Sequence, residues 1–101
     1  MLHQFRSYKL AVDFYRMAQT LKAPHHLKDQ LMRAASSIAL NLSEGSAKDS
    51  RADRRRFYRI ALGSVRECEA IVELLAPSSE FLATDIDILA RHVCKLCQAL
   101  K

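Results

Sequence analysis

Apolar residues recur along this chain at steps of three and four, not two, and that spacing predicts helices from end to end. The first spans about 7–22, opens on Ser7 as N-cap and carries two adjacent rows, Leu10, Phe14, Met17, Leu21 and Tyr8, Ala11, Tyr15, Ala18. A stripe that wide meets two neighbours. Ala23-Pro24 ends it, since a residue before proline is pushed out of the helical region, and Phe5 with the residues around it is expected to form a loose arm. The second helix, about 26–45, begins near His25-His26, repeats Leu31, Ala35, Ile38 and Leu42, and stops at Gly45. The third, about 51–76, opens on the capping-box pattern Ser50-Arg51-Ala52-Asp53 and is stopped by Pro77. Its rows are Phe57, Ala61, Ser64, Cys68, Ile71, Leu75 and Tyr58, Leu62, Val65, Glu69, Val72, Ala76. Gly63 inside that pattern costs about 1 kcal/mol relative to alanine, and reads as a close helix–helix approach. The fourth, about 79–100 and capped by Ser78 or Ser79, has the cleanest row: Leu82, Ile86, Leu89, Val93, Leu96, Leu100.

Short links between long helices imply antiparallel neighbours. The expected fold is therefore all-α, an antiparallel up-down-up-down four-helix bundle forming one domain over residues 1–101. Half of the residues are hydrophobic, with only two Gly and two Pro, which argues against disorder. The apolar rows exceed what one bundle hides, so self-association is expected. No segment approaches the roughly 20 apolar residues that span a bilayer, and the N-terminus lacks the pattern of a secretory leader. Cys68, Cys94 and Cys97 are odd in number and lack disulfide-framework spacing, so the expected location is the reducing cytoplasm.

Charge changes the picture locally. The net charge is +5, and residues 48–59 hold +4 of it: Lys48, Arg51, Arg54, Arg55, Arg56 and Arg59 against Asp49 and Asp53. On a helix Arg51, Arg55 and Arg59 share one face, with Arg66 further along it. Cations in a first helical turn oppose the macrodipole by about 0.3–1 kcal/mol each, which argues for a task beyond solvation. Arginine beside outward-pointing backbone N–H groups is phosphate-binding chemistry. These seven cations are the candidate nucleic-acid-binding residues. No recognition helix or RNA-binding motif points to base-specific readout.

A second set of polar residues lies beside the apolar stripes. Arg33, Ser37, Asn41 and Glu44 on the second helix and Ser64 and Glu67 on the third are expected to satisfy one another across a helical interface, as an unpaired buried polar group costs roughly 1–3 kcal/mol. Glu44 and Glu67 do not point to a metal, because di-iron bundles use Glu-x-x-His and no histidine here follows a glutamate by three. Cys94-x-x-Cys97 lies near a helix C-terminus, where a thiolate is not stabilised, and reads as packing. No nucleophile elbow or glycine-rich phosphate loop is present. No catalysis, metal or cofactor is expected.

At Arg33-Ala34-Ala35, Ser37-Ile38, Asn41 and Glu44-Gly45, then Phe57, Ile60-Ala61, Gly63-Ser64 and Glu67, the chain resembles the bacterial 23S ribosomal RNA intervening-sequence proteins, also called the four-helix bundle protein family. Phe5, Tyr8, Ala11, Tyr15 and Pro24 fit as well. The triplet Arg54-Arg55-Arg56 departs from it, including a site where the family tends to carry an aromatic, and the region after Ala76 is only generically similar. The resemblance implies a bundle assembling as a homopentamer, with no well-defined activity. A distant relative in fold is the accessory protein of diversity-generating retroelements, a basic pentamer that binds nucleic acid and a reverse transcriptase. The expected role is thus a non-enzymatic homo-oligomer contacting RNA or DNA. The alternative is an interaction or scaffold protein whose basic helix end meets an acidic protein partner.

Overall fold

Four helices alternate with short links: α1 Leu2–Gln19, α2 His25–Ser46, α3 Arg51–Leu74 and α4 Glu80–Ala99. The computed structural model describes the backbone of residues 2–101 and the side chains of residues 5–101. Each helix packs on the next, and α1 also packs on α4, closing a bundle of 40 × 21 × 19 Å. There is no strand among the described residues.

The core follows the predicted rows closely. Leu82, Ile86, Leu89, Val93 and Leu96 of α4 are all buried, facing Phe14, Leu31, Ile38, Leu42, Tyr58 and Val65 from the other helices. Tyr58 and Phe14 are the largest fully buried side chains. The buried side of α3 lies between its two predicted rows, so Phe57, Ser64 and Leu75 are only half-buried while Tyr58, Val65 and Val72 turn inward.

Several helix ends differ from expectation. α1 starts at Leu2, not Ser7, and takes in the stretch expected as a loose arm. No Gly or Pro interrupts residues 2–19, although the helix stops at Gln19 and does not reach Lys22. Ser7 is a buried mid-helix residue whose hydroxyl has no partner among the described residues. Lys28 of α2 donates from Nζ to the carbonyls of Gln19, at 2.8 Å, and of Leu21, supplying a cation where the α1 dipole ends. α3 opens as expected: Ser50 is its N-cap and accepts from the Asp53 N–H at 3.1 Å. α3 closes at Leu74, a turn's fraction before Pro77. Ser79 does not cap α4. It is fully buried, and its hydroxyl donates back to the Val72 carbonyl of α3.

Neither glycine plays its expected role. Gly45 is a buried residue inside the last turn of α2, which runs on to Ser46, and has no positive φ. A Cβ built there meets Tyr58 ring carbons at 2.6 and 2.8 Å and the Phe57 Cβ at 3.2 Å. Gly45 is therefore the close approach, where α2 rests on the ring of α3. Gly63, expected to fill that role, is exposed, and a Cβ there meets nothing within 4 Å.

Candidate functional site

The basic cluster gathers at the end of the bundle where the α2–α3 link meets the first turns of α3. Ser50 fixes the start of α3, and from there helical spacing distributes the arginines around three sides of the rod. Arg54 turns back onto the link, donating from Nε to the Lys48 carbonyl at 3.0 Å and from Nη2 to the Asp49 carbonyl at 3.1 Å. Arg51 reaches across to α4 and donates to the Ala99 carbonyl at 3.0 Å. That bond revises the dipole argument for Arg51. Its charge opposes the N-terminus of α3, but it also sits at the C-terminus of α4, where a cation is favourable.

The remaining cations are arranged otherwise. Arg56 stacks on the Phe57 ring at 4.6 Å and Lys48 lies over the same ring at 5.2 Å. Lys48 also pairs with Glu44 at 3.2 Å, and Arg66 pairs with Glu69 at 2.8 Å. The Glu69 bond holds the Arg66 pKa above its ordinary value. Among the described residues, Arg51, Arg54, Arg55, Arg56 and Arg59 meet no carboxylate. Arg51 and Arg54 give their hydrogen bonds to neutral carbonyls, so their positive charge is kept.

Of the expected polar network only part assembles. Ser64 Oγ donates to Ser37 Oγ at 2.8 Å, and Asn41 Nδ2 donates to Ser37 Oγ at 3.0 Å and to its carbonyl at 2.8 Å. Arg33, Glu44 and Glu67 do not join it; all three are exposed. Long side chains at the edge of an apolar stripe extend into water, whereas short ones such as Ser and Asn cannot. The Ser37–Ser64 bond and the Gly45–Phe57 contact fix how α2 lies along α3, which puts Arg33 level with Glu67 and Asn41 level with Ile60. Leu40 and Ile60 are exposed at 68% and 44%, so this outer α2–α3 face combines apolar and charged groups.

Among the described residues no three His, Cys, Asp or Glu side chains converge. Burial, and then Glu67 and Glu69, push the Cys68 thiol up to about 12. Burial also raises Cys97, with Arg59 and Arg55 pulling the other way. Burial thus disfavours the thiolate at both positions. No described helix is long and apolar enough to cross a membrane.

Sequence reasoning missed two features of this end of the molecule. One is a cavity of about 480 Å³ between the start of α1 and the α2–α3 link, lined by Phe5, Tyr8, Ser46, Lys48 and Arg54 among others. The other is a groove of about 400 Å³ between α3 and α4 that holds Arg55, Arg59 and Arg66 together with Lys101. Nothing local marks either, because each is made by residues far apart in the chain.

The fold has a counterpart among solved structures. A protein of unknown function from the S23 ribosomal protein family of Bacteroides thetaiotaomicron superposes with a TM-score of 0.77 over 96% of each chain, at 22% identity. Among curated proteins none matches. The family model of the 23S rRNA-intervening sequence protein matches residues 4–101. That match takes in all but the first three residues, and with them every motif on α2 and α3 described above: this chain belongs to the 23S rRNA-intervening sequence protein family.

Proposed function

We propose that the protein is a non-enzymatic, self-associating helical bundle that binds the phosphate backbone of RNA or DNA through the basic end of α3. The observation that carries this reading is the set of guanidinium groups on Arg55, Arg56 and Arg59, which meet no carboxylate among the described residues. Unpaired cations clustered at one end of a rod attract a polyanion through counterion release, and do so without reading bases. The outer α2–α3 face supports the self-association. Leu40 and Ile60 supply apolar contact there, and Arg33, Glu44 and Glu67 offer charges of both signs that a second copy can pair. A closed ring of five copies, which the family resemblance implies, repeats the basic end five times and multiplies its field. Three free thiols suit a reducing compartment, and we place the protein in the cytoplasm.

The test is filter binding of a single-stranded RNA across a salt series, with mass in solution read by light scattering. The triple variant Arg55→Gln, Arg56→Gln, Arg59→Gln is expected to flatten the slope of log K against log salt by about 0.7 per lost phosphate contact. Arg51 and Arg54 are left intact because they hold α4 and the link. An unchanged slope refutes the polyanion reading. Binding to polyglutamate but not to RNA or DNA replaces it with an acidic protein partner, and a monomeric mass refutes self-association.

A further inference from the structure

The groove between α3 and α4 carries the nucleic-acid reading to a particular place. Arg55, Arg59 and Arg66 approach it from α3 at helical spacing, and Lys101 lines it from beyond the end of α4. No carboxylate side chain is among its lining residues. Gly63 forms part of its wall, and the space above Gly63 is empty to at least 4 Å from where a Cβ would stand. Arg55 lines the groove, and its Nε, shut off from solvent, has no hydrogen-bond partner among the described residues. Arg66 is anchored on one side by Glu69, and its Nη2 on the other side has, among the described residues, only the Cys94 sulfur as acceptor, at 3.5 Å. A thiol is a weak acceptor, so an anionic oxygen placed there gains a charge-assisted bond at little loss.

Buried donors need acceptors, and several guanidinium groups around a hollow with no Asp or Glu in its lining match the tetrahedral oxygens of a phosphate. We propose that this groove is a phosphate-binding subsite that seats one backbone phosphate of the bound strand on Arg55, Arg59, Arg66 and Lys101. It rests on the nucleic-acid reading for its source of phosphate, while the groove itself accepts any phosphoryl group small enough to pass Gly63. Cys94 is half-buried at the rim, whereas Cys68 and Cys97 are buried, so alkylation of Cys94 reports occupancy.

Iodoacetamide labelling of Cys94, followed by peptide mass mapping at matched ionic strength, is the test, with inorganic pyrophosphate and a single-stranded RNA 12-mer as probes. Both are expected to slow labelling at least threefold, and Arg55→Gln to abolish the protection. Gly63→Leu fills the hollow without changing charge, and is expected to weaken 12-mer binding about fivefold while helicity is kept. If the 12-mer binds yet labelling is unchanged and Gly63→Leu binds normally, the subsite is refuted and the polyanion reading survives. If the 12-mer fails to bind but pyrophosphate protects, the subsite stands as a site for free phosphates and the polyanion reading falls. If the 12-mer fails to bind and pyrophosphate gives no protection, both readings fall.

Discussion

Gly45 and Gly63 are the chain's two glycines, and they serve opposite purposes. Gly45 lies where α2 presses against α3, with a ring from the core in the place a methyl group needs; Gly63 lies on the opposite flank of α3, beside open space. One removes a side chain so that the backbone of α2 rests on a ring of α3. The other removes a side chain so that something else fits. The α2–α3 contact is thus the closed, structural side of α3, and the α3–α4 groove its open, chemical side.

The largest expected effect falls on the closed side. Tyr58→Ala empties a fully buried site and is expected to lower unfolding stability by about 3–5 kcal/mol in urea. Gly45→Ala forces its methyl into the Tyr58 ring, which has no room to swing, for an expected loss of about 1–3 kcal/mol. Gly63→Ala should move the same midpoint the other way, stabilising by about 1 kcal/mol, because an exposed helical glycine gains propensity and meets no neighbour. Equal shifts of one sign at the two glycines would erase the contrast. A pH-dependent effect distinguishes the thiols. Cys68 is raised to about 12 by burial, so its proton is held more tightly in the folded state than in the unfolded one. Stability should be unaffected by this group below about pH 8.5 and should fall as pH rises from there toward 12. Cys68→Ala should remove that alkaline slope in pH-dependent denaturation.

Much of this architecture could be read from spacing alone. The α4 row is buried along nearly its whole length because a stripe repeating at three and four has only one way to leave water. Ser50 caps α3 because its partner is three residues away. Legibility fails where the partner is distant. The acceptor of Arg51 is Ala99, 48 residues on, and no local pattern reveals that a first-turn arginine is also a last-turn cation for another helix. It fails again for Glu44 and Glu67, which adjoin apolar rows yet reach solvent. For the glycines, sequence marks a missing side chain without saying whether a neighbour or a void takes its place.

Ser79 has one proton to give, and gives it to Val72. The C-terminus of α3 gains a latch, while α4 begins without a side-chain cap, its first turn helped only by the acidic Glu80. Amide exchange should therefore start at that corner, with α4 opening from its beginning while the end tied to Arg51 stays shut. On this expectation the bundle opens away from its basic pole, and the arginines keep their arrangement while the opposite corner frays.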